Sequence, residues 1–200
     1  MPELLIEIRP QLESTHPTPV RIEVPRSAAP GSGPLALRPE AGGALVPAQW
    51  DEEALVAVVP GFGHGEGPRR YRLVDAPGVQ QGGVKLKEES PTRLSILLPE
   101  GVFTTYNFDP QYARPFFYPV LSPTGKRLTR SFPMENVPGE TKDHPHHRSF
   151  WTAYGEVNGV DDWSEEKNHG FIRHQKFLKR QEGNAFGGFT ASALWTGPDG

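Results

Sequence analysis

The sequence predicts an all-β fold, an antiparallel β-sandwich, and three observations carry that prediction. Short alternating or apolar runs recur along the chain, 22 Gly and 22 Pro punctuate them, and no window sustains a helical period behind a capping box. Gly supplies positive φ at turns, and Pro fixes φ while lacking a donor for a ladder, so this punctuation suits many short strands.

In chain order the strand-like runs are 20–24, 44–46, 54–59, 71–74, 84–87, 94–98 and 102–108, with a last one at 186–195. Residues 27–43, rich in Pro, Gly and Ala, predict a loop. The run 61–67 alternates Gly with Phe, His and Glu, but lacks the Gly-Lys-Ser/Thr ending and a helix behind it, and so reads as a plain loop. No internal repeat stands out, and 200 residues fit one β-rich domain spanning 1–200. Residues 196–200 read as a turn that should lead into a partner strand, so the domain is expected to continue past Gly200.

Composition removes several function classes. The net charge is −3 and the basic residues are scattered, so neither a nucleic acid nor an anionic membrane surface is an implied partner. There is no cysteine, which excludes disulfides, thiolate metal sites and a cysteine nucleophile. The acidic, briefly apolar stretch 1–8 is too short for a signal sequence, and nothing approaches the ~18 apolar residues of a spanning helix. A soluble, cytoplasmic protein is the expectation.

The chemical signal is concentrated. Five of the seven histidines, His144, His146, His147, His169 and His174, fall within 31 residues. Histidine is both the usual acid or base near neutral pH and the commonest metal ligand. Pro145 predicts an extended His144, so His144, His146 and Arg148 should share one face, with Asp143, His147 and Ser149 opposite. A His-x-His pair on one strand face can hold a divalent ion, with His169 the first candidate for a third ligand and His174 the weaker one. His147 and Asp143 are the candidate acid–base groups. A structural turn, its histidines bonded to backbone and Arg148 to an acid, is the competing reading.

Further on, Asn158-Gly159 between two valines predicts a type I′ hairpin in which Val157 pairs with Val160, Glu156 faces Asp161 and Tyr154 faces Trp163. Glu156 lies ten residues from His146, roughly 33 Å along a straight strand, so the histidines and the hairpin acids form two separate sites unless the chain bends. Arg114, ahead of Pro115 and a Phe-Phe-Tyr cluster, could present a guanidinium and aromatic faces to a sugar or carboxylate; core packing explains the three rings at least as well. Trp163 reads as a sugar platform or as hairpin packing.

Three stretches, 112–120 (YARPFFYPV), 143–148 (DHPHHR) and 155–163 (GEVNGVDDW), resemble a bacterial family of unknown function often labelled "methane oxygenase PmoA". The resemblance covers about residues 47–200, and its members look longer than this chain. It implies a β-sandwich like the galactose-mutarotase supersandwich, and genomic company with sugar-degrading enzymes. Oxidation of methane is not carried over, because the membrane subunit of that name is built from transmembrane helices. Three expectations follow. The first is a carbohydrate-active protein using histidine acid–base chemistry on a small-molecule or carbohydrate ligand bound near Arg114, Arg148 and Trp163, with or without a divalent metal. The second is a non-catalytic carbohydrate-binding or structural β-sandwich. The third, which the label implies, is a metal-dependent oxygenase.

Overall fold

The computed structural model describes residues 4–10, 14–79 and 83–199. Residues 1–3 of the amino-terminal run and Gly200 of the closing turn lie outside them. The described chain is all-β, with antiparallel pairing throughout and no helix beyond a single 3-10 turn at Arg26–Ala28. It divides into two compact units, Met1–Gly83 with Gly183–Phe186, and Val84–Glu182 with Gly187–Gly200.

The first unit is one six-stranded sheet. Its strands are β1 (Leu5–Ile8), β2 (Thr18–Glu23), β3 (Leu35–Pro39), β4 (Val46–Asp51), β5 (Ala54–Val59) and β6 (Arg69–Asp75), in the order β1-β6-β3-β4-β5-β2. Alternation buries Ile6 and Ile8 while Leu5 and Glu7 face outward. The sheet curls into a half-barrel, so that Ile6 and Ile8 of one edge pack in the same cluster as Val20 and Ile22 of the other, around the fully buried Leu37 and Leu55. Removing side chains of that size from water stabilises by about 2 kcal/mol each.

The expected loop at 27–43 is corrected here. It contains β3, a central strand paired on both sides, in which Leu35, Ala36 and Leu37 are all buried. A strand covered on both faces has no polar alternation, and a three-residue apolar run is too short to read as one. The loop 61–67 keeps its plain reading: Glu66 accepts the Gly63 N–H at 2.8 Å, and Arg69 ties the turn to the carbonyls of Pro60 and Gly61.

The second unit is a five-stranded sheet and a two-stranded ribbon. The sheet comprises β7 (Lys85–Ser90), β8 (Arg93–Leu98), β9 (Gly101–Asn107), β10 (Phe116–Val120) and β11 (Phe150–Trp151), in the order β11-β10-β9-β8-β7. The ribbon pairs β12 (Phe171–Gln181) with β13 (Gly188–Thr196). Register separates the sheet's faces: Leu94, Tyr106, Phe117 and Phe150 lie in one cross-strand row, and Arg93, Asn107, Phe116 and Trp151 in the adjacent row, on the opposite face.

The first row builds the core against the ribbon. Tyr106 lies 4.9 Å from Phe189 and 6.2 Å from Phe177 between ring centroids, and Phe108 lies 4.3 Å from the His174 ring. Burial pushes the Tyr106 phenol up to about 12. His174 packs at the edge of this aromatic cluster, its Nδ1 3.4 Å from the Tyr106 hydroxyl, with burial holding its pKa below the ordinary value. The strand that carries it, β12, pairs with β13 rather than continuing the 157–160 hairpin.

Candidate functional site

The second row carries the candidate site. From Val120 to Phe150 the chain makes a long connection, held by Arg127 on the Tyr118 hydroxyl at 3.0 Å and by Glu140 on the N–H groups of Ser131 and Phe132 at 2.8 and 2.9 Å. Near its end stand the histidines. Arg130 donates to the Asp143 carboxylate at 2.6 Å and to the carbonyls of Asp143 and His144 at 2.7 and 2.8 Å.

That clamp explains the main correction to the sequence reading. His144 is not extended; it has φ +46°, and the His147 N–H donates to its carbonyl at 3.0 Å, closing a turn with Pro145 in second position. Proline favours that turn position as strongly as it favours extension before it, and the guanidinium bound to two successive carbonyls holds the turn. The alternation that would have put His147 opposite His144 and His146 is lost. All three rings gather instead, with centroids 5.9 Å (His144–His146), 5.1 Å (His144–His147) and 4.4 Å (His146–His147) apart.

The cluster is polarised. Asp143 Oδ2 lies 2.9 Å from His144 Nδ1, and hydrogen bonds from Arg130 and His144 hold its carboxyl below the usual range. His147 is half-buried, with its ring 5.4 Å from Trp151 and 5.6 Å from Trp163. Burial first, then the neighbouring His146 and His144, keep its imidazole below the ordinary pKa. Its Nε2 is enclosed and bonded to no described residue. His146 is lowered in the same way, by burial and then by His144 and Arg114.

The tryptophans come from both sides of a bend. Trp151 ends the sheet row, and Trp163 follows the hairpin, their rings 5.0 Å apart. Asn158-Gly159 forms the expected turn, with φ +53° and +79°, and Val157 pairs with Val160. The ladder stops there. Asp161 does not face Glu156; its carboxylate accepts the N–H groups of Trp163 and Ser164 at 2.8 and 3.0 Å and the Ser164 hydroxyl. The expected Tyr154–Trp163 pair is corrected with it, since Tyr154 is exposed and Trp163 turns to Trp151 and His147. Trp163, just past the hairpin, thus meets His147, and the chain bends between His147 and Trp151 at Ser149, where φ is +62°.

Two arginines hold this corner. Arg114, 3 % exposed, donates to the carbonyls of Trp163 and Ser164 at 2.8 and 3.1 Å and lies over the Trp151 ring. Glu165 sits 3.8 Å from it and is bonded directly by Arg148, whose guanidinium lies over Tyr112. Arg114 thereby fixes the tryptophan corner, and Arg148 is joined to it through Glu165. Sequence reasoning missed Trp151, Glu165 and Arg130; the first two needed the register and the bend, and Arg130 lies 13 residues before its acid.

His169 sits apart from the three rings in its contacts, with Nδ1 2.7 Å from the Gly170 carbonyl and its ring on Phe171. Among the described residues no three His, Asp or Glu side chains are grouped to hold an ion, so the set His144, His146 and His169 is not assembled in this structure. Beside the corner, Arg93, Asn107, Tyr112, Tyr118 and Arg148 line a cleft of about 470 Å3, a size that suits a small organic ligand.

Residues 93–200, all but the first strand of the second unit, match the family model described as a family of unknown function (DUF6807). The chain belongs to this family. The DUF6807 match takes in every element of the site, from Arg93 through the histidine turn to the ribbon. No curated protein and no solved structure matches the chain. Among the described residues no helix is long and apolar enough to cross a membrane.

Proposed function

We propose that this protein acts on a carbohydrate, with His147 as the acid–base group at a wall formed by Trp151 and Trp163. One observation carries the reading: His147 Nε2 is enclosed, bonded to no described residue, and flanked by two tryptophan rings. Once a ligand gains access to it, an imidazole nitrogen with no other partner can take a proton from a hydroxyl or return one, and indole faces stack on the C–H faces of sugar rings. Asp143 and Arg130 serve as positioning groups, fixing the His144 turn that carries His147.

The test is interconversion of sugar anomers or epimers, followed by exchange spectroscopy across a panel of monosaccharides. Turnover by the natural chain that is abolished in His147→Ala and reduced in His146→Ala supports the reading. Sugar binding without turnover, unchanged in His147→Ala, replaces it with a carbohydrate-binding module. Turnover that survives exhaustive dialysis against a chelator separates imidazole chemistry from a metal-dependent reaction.

A further inference from the structure

We infer that the Trp163 indole is a gate over His147, closed in this structure and swinging out into solvent to admit a ligand; this rests on the carbohydrate reading for what the gate serves. The starting point is the His147 Nε2, enclosed and bonded to no described residue. An acid–base nitrogen has to come within hydrogen-bond reach of the proton it moves, so one of the rings around it must yield before any reaction.

Four rings surround that imidazole, with centroids at 4.4 Å (His146), 5.1 Å (His144), 5.4 Å (Trp151) and 5.6 Å (Trp163). Three of them are held. His144 and His146 ride on the turn that Arg130 clamps, and Asp143 engages the His144 Nδ1 as well. Trp151 lies in β11, paired with Phe116, with the Arg114 guanidinium over its ring. Trp163 differs: it is 43 % exposed, and its indole N–H has no hydrogen-bond partner among the described residues. Its backbone is pinned, the N–H donating to the Asp161 carboxylate at 2.8 Å and the carbonyl accepting from Arg114 at 2.8 Å. A fixed backbone carrying a ring without polar bonds makes a hinge of the side-chain torsions, so no loop has to refold for the gate to open.

The closed position is favoured, but not by much. Trp163 makes an edge contact with His147 and a tilted one with Trp151 at 5.0 Å, and two such ring pairs favour closure by roughly 5- to 150-fold. Against them stands the Nε2, since a buried nitrogen without a partner forfeits a hydrogen bond that water supplies once the ring leaves. A ligand hydroxyl bonded to the Nε2 holds the gate open, and the C–H face of the same ligand takes the place on the indole that Trp151 and His147 give up. Binding and opening are thus one equilibrium, shifted by the ligand's preference for the open form.

The probe is diethyl pyrocarbonate, which acylates imidazole nitrogens, applied at neutral pH to the isotope-labelled natural chain, Trp163→Phe and Trp163→Ala. Mass spectrometry follows the rate at each histidine, and long-range proton–nitrogen spectra tell an Nε2 adduct from an Nδ1 adduct. In the natural chain the His147 Nε2 should react at least about tenfold more slowly than the exposed His16, in line with the closed preference. Trp163→Ala should remove most of that difference, and Trp163→Phe, which keeps a smaller ring, should fall between. Circular dichroism checks that each variant keeps the β fold, and Trp163→Phe decides if Trp163→Ala does not fold. A natural-chain rate equal to that of His16, or a slow rate unchanged in the folded variants, overturns the gate. Sugar turnover is measured in parallel: turnover with the Nε2 already open removes the gate and leaves the carbohydrate reading, whereas a gate in a chain that turns over no sugar does the reverse.

Discussion

A half-buried imidazole whose Nε2 has no partner among the described residues sets the pH dependence expected at His147. Because its folded pKa lies below the ordinary histidine value of about 6.5, the base form persists into mildly acidic solution. The rate profile should inflect below that value, and His147→Ala should lose the inflection along with about 100-fold or more of the rate. Asp162 makes the opposite demand. It is 2 % exposed, its Oδ1 has no partner among the described residues, and burial raises its pKa. A raised carboxyl contributes stability below its unfolded pKa of about 4 and loses it as pH rises through the folded value, so the ionised form is a net cost at neutrality. Asp162→Asn should therefore melt no lower than the natural chain at pH 7, with any advantage vanishing by pH 4 in thermal scans. A variant that melts lower at pH 7 would show that the carboxylate is needed. Arg114 is buried but paired, and Arg114→Met should cost about 3 kcal/mol in denaturant titrations while shifting tryptophan emission to the red, because Trp163 loses its anchor.

At the scale of elements, the hairpin at 157–160 is held by one bridge and one turn, so its glycine matters more than its strands. Gly159 has φ +79°, and Gly159→Ala should cost about 1 kcal/mol. Gly170 is tighter for a different reason: a Cβ there would collide with the Asp162 carboxylate, Val160 and the Thr196 carbonyl. Gly170→Ala should exceed the Gly159 penalty, at about 1–3 kcal/mol, and a smaller effect would show that the buried acid can move aside. The hairpin turn was legible because Asn-Gly has a local backbone preference. Its ladder was not, because Asp161 bonds the N–H groups of Trp163 and Ser164 and turns the chain away after Val160. Strand β3 was hidden for the reverse reason, being covered on both faces and so showing no alternation.

Across the whole molecule, the histidines with lowered pKa, His146, His147 and His174, all belong to the second unit. A group whose folded pKa is depressed contributes stability that is present above its unfolded pKa and lost as pH falls through the folded value. The second unit should therefore begin to lose stability below about pH 6.5, and the lowered carboxyls of Asp143, Asp161 and Glu135 add a further loss at more acidic pH. Hydrogen exchange at pH 7 and pH 5, corrected for intrinsic rates, checks this: protection should fall in β8 to β10 and in the ribbon, around the ring cluster that contains His174. Undiminished protection there at pH 5 would mean that the core accommodates a charged imidazole.

What the sequence determined by itself is the all-β class, most strand positions, the Asn-Gly turn and the stretch in which the histidines gather. These follow from local rules, the period of side-chain alternation and the φ preferences of Gly, Pro and Asn. Only the tertiary structure decided that Pro145 sits inside a turn, that three histidines face one another, and that Trp151 and Trp163 meet beside them. Arg130 holding the carbonyls of Asp143 and His144, and Arg114 holding those of Trp163 and Ser164, are contacts between residues 13 to 50 positions apart. Such contacts override a local backbone preference because a charged donor bound to two carbonyls outweighs the few tenths of a kcal/mol to ~1 kcal/mol by which neighbouring residues bias φ and ψ.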